Sequence, residues 1–275
     1  MTLLNEGPGQ PSKHNLWVAL MQDVPPYQDV HKVKISPQNY QQSRDEYGNH
    51  YAEFDLATMT PGEQIDIQIS YQVTVHQLAY PLEPCRGELP KDYTGAELHI
   101  EANNRQIKEL ATQLSQDKDN PCETVRAIYN YIGNNLIYSY NQNDWGAQAA
   151  LGKMGADCTE YASLMIALCR ANQIPARYFE GLLYQQENEP AESEHAWLEV
   201  YLPGIGWAPM DPTLGRSSLS RDEFFAKIPP THFIITQGRN PSTLRGSSYW
   251  THLYWPGGST SIKITDQSWM ITPLD

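Results

Sequence analysis

The stretch Gly155-Ala156-Asp157-Cys158-Thr159-Glu160-Tyr161 marks the start of a predicted helix and places a thiol in its first turn. The apolar residues of this helix recur at helical spacing, at Tyr161, Leu164, Met165 and Leu168. A helix N-terminus has unpaired N–H groups and a partial positive charge, which stabilise a thiolate and can also hold an oxyanion. Cys158 is therefore the candidate nucleophile, whereas Cys169 lies in the middle of the same helix, where neither effect operates.

A predicted hairpin downstream supplies an imidazole and a carboxylate. His195 opens a strand over residues 195–202, and the turn Pro203-Gly204-Ile205-Gly206 leads into a second strand that ends just before Asp211. In such a hairpin Asp211 returns roughly opposite His195. An imidazole can deprotonate the thiol and later protonate a leaving amine, and a carboxylate can fix the imidazole tautomer. We interpret the three residues as a catalytic triad, although each taken singly also has a structural interpretation: a buried thiol, a strand histidine and an Asp-Pro turn.

The first third of the chain has the pattern of β-structure. Apolar residues alternate with polar ones over eleven positions, at Ile65, Ile67, Ile69, Tyr71, Val73 and Val75, which is the period of a strand buried on one face. Shorter strands are predicted at residues 16–22, 30–35 and 51–56. Several antiparallel strands at this spacing indicate a β-sandwich.

The pattern changes after a proline-marked stretch at residues 80–90, which predicts a linker and a domain boundary near residue 92. Helices are predicted around residues 107–114, after Asn120-Pro121 and from Asp157, and strands follow at residues 176–184, 195–202, 206–210, 232–236, 250–255 and 261–265. Helices followed by an antiparallel sheet make an α+β domain. The prediction is therefore a β-sandwich over residues 1–91 and an α+β catalytic domain over residues 92–275.

Several ordered motifs resemble the bacterial transglutaminase-like superfamily over roughly residues 95–240. They are Asp157-Cys158-Thr159-Glu160-Tyr161-Ala162, Ile174-Pro175-Ala176-Arg177, His195-Ala196-Trp197-x-Glu199-Val200, Gly206-Trp207 and Asp211-Pro212-Thr213. The resemblance implies a papain-like core that acts on amide bonds through a Cys-His-Asp triad, preceded by a β-sandwich. The sequence departs from the family pattern at Gln173, where a glycine is common, and at Asn240, where an aspartate is common.

The resemblance leaves three functions open. We expect a cysteine peptidase or amidase that hydrolyses a peptide or isopeptide bond through a thioacyl-enzyme, without a metal or organic cofactor. The alternatives are acyl transfer to an amine and a non-catalytic scaffold or binding module, and the presence of all three triad residues favours an enzyme. The oxyanion hole would combine the Cys158 backbone N–H with a side-chain donor; the candidates for that donor and for the pocket walls are Tyr138, Tyr140, Trp145 and Trp197.

Composition limits the classes of partner that we expect the protein to bind. The formal net charge of -13 argues against nucleic acid and anionic membranes, because an acidic surface gains no counterion release from a polyanion. No signal peptide and no stretch of 18 apolar residues is recognised, so a cytoplasmic location is expected, with Cys85, Cys122 and Cys169 as reduced structural thiols. The acidic residues 187–194 fit a solvated loop or a site for amine-bearing ligands.

Overall fold

The computed structural model describes residues 1–11, 14–82, 85–140, 146–152, 155–184, 193–242, 251–254 and 262–274. The strands are β1 Thr2–Asn5, β2 Asn15–Leu20, β3 Gln28–Ser36, β4 Gln41–Arg44, β5 His50–Asp55, β6 Gln64–Asp66, β7 Gln68–Val75, β8 Leu78–Ala79, β9 Ala176–Leu183, β10 Ser193–Leu202, β11 Gly206–Met210, β12 Lys227–Ile228, β13 His232–Gln237, β14 Thr251–Tyr254 and β15 Ile262–Asp266. The helices are α1 Arg105–Ser115, α2 Pro121–Asn135, α3 Gly146–Ala150 and α4 Cys158–Ala171. The predicted α+β class is confirmed. Within the described ranges, no helix has the length and apolar character needed to cross a membrane.

Two compact units divide the chain. The first unit consists of Met1–His76, Glu180–Glu194 and Thr231–Asp275, and the second of Gln77–Phe179 and His195–Pro230. This division differs from the predicted boundary near residue 92, which assigned the last strands to the catalytic domain. The difference arises because β14 and β15 pair antiparallel with β2 and β1 of the first unit, and a single strand pattern does not reveal its partner.

The first unit contains antiparallel sheets in the orders β15-β1-β6, β14-β2-β5-β4 and β3-β7. One buried apolar cluster joins the first two sheets, with Leu3 from β1, Leu16 from β2, Phe54 from β5 and Ile262 from β15. Two sheets that share one apolar core form a sandwich, as the alternating pattern predicted.

The single strand predicted over residues 65–75 is in fact two strands, β6 and β7. β6 pairs with β1, whereas β7 pairs with β3. Between them Ile67 is buried, and its backbone N–H donates to the carbonyl of Met1 at 2.9 Å. The chain therefore changes sheets at Ile67 while the alternation of apolar residues continues, which is why the sequence pattern shows no break.

Glu180 is a buried acid in the first unit. Its side chain is 6% exposed, and among the described residues its Oε2 has no hydrogen-bond partner. Burial, followed by the charge of Glu194, holds the pKa of Glu180 well above its ordinary value of 4.5. The folded protein therefore keeps this proton at pH values at which the unfolded chain has released it.

Replacing Glu180 by glutamine is expected to remove a pH-dependent loss of stability. Above pH 4.5 the unfolded state releases the Glu180 proton and the folded state retains it, so the free energy of unfolding falls by about 1.4 kcal/mol per pH unit until the folded-state pKa is reached. Glu180→Gln should flatten this slope, and Glu88→Gln, at an exposed position of the second unit, should leave it unchanged. Urea unfolding between pH 4 and pH 8 measures both; equal slopes for wild type and Glu180→Gln would contradict the prediction.

The second unit packs helices on a sheet in the order β11-β10-β9. α4 is the central helix, with residues 160–170 all buried and with α1, α2 and α3 packed against it. β10 and β11 form the predicted hairpin, in which Leu198 pairs with Met210 and Leu202 with Gly206. The hairpin turns at Gly204, whose φ of 79° favours a glycine.

A disulfide joins Cys85 to Cys122, so the prediction of four reduced thiols is wrong for these two residues. Cys85 lies in the proline-marked linker and Cys122 in the first turn of α2, 37 residues further along the chain. Their approach depends on how the linker packs on α2, which no local motif predicts. Cys158 and Cys169 are free thiols, as expected.

Candidate active site

Cys158 is the first residue of α4 and is partly exposed. Asp157 is the N-cap: its carboxylate accepts the Thr159 backbone N–H at 3.0 Å, and the Glu160 carboxylate accepts the Asp157 backbone N–H at 3.0 Å. This capping box fixes the first turn of the helix. It leaves the Cys158 N–H outside its reciprocal bonds, so that N–H and the thiol both lie at the positive end of the helix.

The hairpin brings His195 and Asp211 together. His195 Nε2 lies 2.7 Å from Asp211 Oδ2, and both side chains are buried, at 5% and 0% exposure. The Cys158 side chain lies close enough to the imidazole to contribute to the raised pKa of His195. Because Nε2 is engaged by Asp211, the nitrogen available to the thiol is Nδ1. The structure thus brings the three predicted triad residues together, with a hydrogen bond between His195 and Asp211.

The surroundings of His195 favour its protonated form. Burial alone would lower the pKa of His195, but the charge and hydrogen bond of Asp211 and the hydrogen bond and charge of Cys158 together raise the pKa to about 10. Its ring also stacks on Trp197, with centroids 5.9 Å apart and an interplanar angle of 18°. The imidazolium is therefore expected to persist at neutral pH, which is the state that stabilises a neighbouring thiolate.

Asp211 is held from three directions. Its Oδ1 accepts the backbone N–H groups of Thr213 and Leu214, both at 2.9 Å, which leaves Oδ2 for the histidine. Its backbone carbonyl accepts the Tyr129 hydroxyl of α2 at 3.0 Å. Gly215 makes this approach possible, because a Cβ there would lie 1.7 Å from the Tyr129 hydroxyl oxygen. Tyr129 lies in the helix predicted after Asn120-Pro121, and no sequence motif indicates its bond to Asp211.

The structure separates the four oxyanion and pocket candidates. Tyr138 forms a parallel bridge with Ala156, two residues before Cys158, and the charge of Cys158 contributes to its raised pKa after the effect of burial. Tyr140 is 74% exposed, and Trp145 lies outside the described residues. Trp197 is buried and its ring stacks on that of His195, and its role as a pocket wall stays a prediction. Tyr138 is therefore the candidate whose backbone pairs with the segment just before Cys158.

The two departures from the family pattern have one backbone feature in common. Gln173 and Asn240 have φ values of 59° and 53°, in the left-handed region that glycine and asparagine adopt most readily. Gln173 follows the end of α4, where its N–H donates to the Arg170 carbonyl at 2.9 Å. A glycine at this position would adopt the same left-handed backbone conformation. The departure at Gln173 therefore concerns the end of α4 and replaces none of the three triad residues.

A family model, the transglutaminase-like superfamily, matches residues 108–212. This segment contains Cys158, His195 and Asp211. Two curated bacterial relatives match part of the chain: the uncharacterized protein YebA of Bacillus subtilis (strain 168), 27% identical over 176 residues, and an uncharacterized protein of Haemophilus influenzae, 24% identical over 145 residues. The matches cover 53% and 44% of this chain but only 23% and 39% of the relatives, so the chain spans less than half of their length.

A crystal structure of a proposed cysteine protease from Cytophaga hutchinsonii has a similar fold. It matches with a TM-score of 0.65 at 17% sequence identity, and the match covers 100% of this chain and 93% of the other. At this identity the likeness concerns the fold.

Proposed function

We propose that this chain, whose residues 108–212 belong to the transglutaminase-like superfamily, is a cysteine-dependent hydrolase of peptide or isopeptide bonds. The observation that carries the proposal is the proximity of Cys158 to His195, which is hydrogen-bonded to Asp211, with the thiol at a helix N-terminus. The likeness in fold to a proposed cysteine protease supports the same class of chemistry.

In the proposed mechanism the Cys158 thiolate attacks the carbonyl carbon of the amide, and the electron pair of the C=O bond moves to its oxygen. The Cys158 backbone N–H, with Tyr138 as the candidate second donor, is positioned to stabilise this oxyanion. When the tetrahedral intermediate collapses, the C–N bond breaks and His195 Nδ1 gives its proton to the departing amine. A water molecule, deprotonated by the same nitrogen, then attacks the thioester and releases the carboxylic acid and the free thiol.

Alkylation by iodoacetamide tests the proposal without a known substrate. At pH 7 a free cysteine is only a few per cent thiolate, so Cys158 paired with an imidazolium should react about tenfold faster or more. Cys169 serves as an internal control, because it is fully buried and burial raises the pKa of its thiol. Mass spectrometry should find the label on Cys158, no fast phase in Cys158→Ala, and a slow reaction in His195→Ala.

Two results would count against the proposal: a Cys158 rate equal to that of free cysteine, or a rate unaffected by His195→Ala. For the hydrolysis itself, a peptide library should yield cleavage by wild type and none by Cys158→Ala. Adding a primary amine to the same assay separates hydrolysis from transfer, since a transferase would form the amine adduct in place of the acid.

A further inference from the structure

Arg216 lies on the turn that follows the proposed triad aspartate. One of its terminal nitrogens donates to the Thr213 carbonyl at 2.6 Å, and the centre of its guanidinium lies 5.0 Å from the centroid of the Tyr138 ring. The residue is otherwise exposed. Its charge is thus held over the ring of Tyr138, whose backbone pairs with Ala156 two residues before Cys158.

Tyr138 connects this cation to Cys158. Its segment is fixed beside the start of α4, because the Ser139 backbone N–H donates to the Ala156 carbonyl at 2.9 Å. Burial and the charges of Cys158 and Asp157 raise the pKa of Tyr138, and the charge of Arg216 lowers it. Arg216 also lowers the raised pKa of Tyr161, which lies on the first turn of α4. The thiol and the guanidinium therefore lie within electrostatic range of the same ring.

A second arginine fixes the backbone that carries Arg216. Arg221 donates to the Arg216 carbonyl at 2.8 Å and to the Gly215 carbonyl at 3.4 Å, and it reaches Asn134 of α2 at 2.7 Å. Gly133 leaves room for it, since a Cβ at that position would lie 2.6 Å from the Arg221 guanidinium. The backbone of Arg216 is thus held in place by contacts from α2 and from the turn, and its side chain is fixed by the Thr213 carbonyl.

The arginines of the second unit differ in whether they have an acidic partner. Four of them are ion-paired, as Arg105 with Glu109, Arg126 with Asp222, Arg170 with Glu97 and Arg177 with Glu199. Among the described residues, no carboxylate forms an ion pair with Arg216. Because only one edge of its fork is engaged by Thr213, two N–H donors stay available in the geometry that a carboxylate accepts.

We propose that Arg216 selects amide substrates that carry a free carboxylate close to the scissile carbonyl, by pairing with that carboxylate beside Cys158. The inference rests on the proposed function, since it assigns specificity to the same site. Substrates of this class include peptides with Glu or Asp next to the cleaved bond and glutamyl amides linked through the side chain. Arg216 is a specificity residue here and takes no part in the bond-breaking steps.

Two alkylating reagents with the same leaving group test the pairing of Arg216 with a carboxylate. Iodoacetate and iodoacetamide both lose iodide to a thiolate and form one S–C bond, but only iodoacetate carries a carboxylate. For each reagent, the rate of Cys158 alkylation is divided by the rate with free cysteine. The anion preference is the value for iodoacetate divided by the value for iodoacetamide. Arg216→Gln is expected to lower this preference about 3- to 10-fold, and Arg216→Lys, which keeps the charge but loses the bidentate fork, should give an intermediate value. Added salt should lower it in the wild type, and the control Arg105→Gln, at an exposed position of α1, should leave it unchanged.

The outcomes separate the inference from the proposed function. If Arg216→Gln leaves the anion preference at the wild-type value while the iodoacetamide rate still depends on His195, the carboxylate inference is wrong and the hydrolase proposal stands. If neither reagent labels Cys158 faster than free cysteine, both are wrong. Matched Glu/Gln and Asp/Asn peptides give a second readout: the carboxylate preference in kcat/KM should fall in Arg216→Gln, and an unchanged preference would also overturn the inference.

Discussion

Replacing Asp211 by asparagine is expected to lower kcat/KM for amide hydrolysis by about 10³- to 10⁴-fold while the fold stays intact. Asparagine has nearly the same shape, and its side-chain oxygen can still accept the Thr213 and Leu214 N–H groups that hold Asp211 Oδ1. What changes is the group that faces His195 Nε2, where a carboxylate oxygen at 2.7 Å is replaced by an amide NH₂.

The NH₂ group is a donor, so it favours the tautomer in which Nε2 is the acceptor and Nδ1 carries the proton. In that tautomer Nδ1 cannot accept the thiol proton of Cys158. The substitution also removes the negative charge that helps to raise the pKa of His195 to about 10. The imidazolium should therefore lose its proton at lower pH, and the alkaline limb of the pH–rate profile should move toward neutral pH.

The measurement is a pH–rate profile of peptide cleavage and of Cys158 alkylation, for wild type and Asp211→Asn. Asp222→Asn is the matched control, because Asp222 is an exposed aspartate of the same unit that pairs with Arg126. Circular dichroism and thermal unfolding establish that each variant is folded. Retention of more than a tenth of the activity by folded Asp211→Asn, with an unshifted alkaline limb, would show that Asp211 does not orient His195.

The geometry of the candidate site follows from signals that lie close together in the sequence. The helical spacing of apolar residues after Asp157 predicted where α4 begins, and the turn at Pro203–Gly206 predicted that Asp211 returns to His195. Both depend on local backbone chemistry. The catalytic roles of these residues stay a prediction until activity is measured, as does the oxyanion role of Tyr138.

Features that depend on distant pairing were not predictable in the same way. β14 and β15 were recognised as strands, but their pairing with β2 and β1 joins residues more than 200 positions apart. The change of sheet at Ile67 is invisible for a related reason: alternation reports which face is buried and says nothing about the neighbouring strand. Tyr129 and Arg216 reach the site through packing of α2 and of the turn after Asp211, for which the sequence carries no motif.

The cysteines show how a compositional argument failed. A chain of this size does not need a disulfide to be stable, and that argument favoured reduced thiols. Composition does not reveal that the linker passes over the first turn of α2, where Cys85 bonds to Cys122. The cytoplasmic location stays a prediction, and this disulfide weighs against it because disulfides persist mainly in oxidising compartments.

Removing the Cys85–Cys122 disulfide is expected to lower the free energy of unfolding of the second unit by about 4 kcal/mol, from the entropy of a closed loop with a 37-residue separation. This corresponds to a drop in Tm of roughly 10 °C for a unit of this size. The bond ties the linker to α2, the helix whose Tyr129 holds the Asp211 backbone. The site is nevertheless expected to keep its geometry in the folded fraction, since Tyr129 lies about two turns beyond Cys122 and is buried in the main core.

Thermal unfolding of wild type, with and without reductant, and of the Cys85→Ser/Cys122→Ser double variant measures the effect. The Tm of the reduced wild type should equal the Tm of the double variant measured without reductant. Reductant should not change the Tm of the double variant, whose remaining cysteines are the free Cys158 and Cys169. A wild-type Tm that is the same in both conditions would mean that the bond is absent in solution or closes a loop that is already ordered in the unfolded chain. Alkylation of Cys158 at 25 °C separates stability from function, because the double variant should react at the wild-type rate if the disulfide stabilises the unit without shaping the triad.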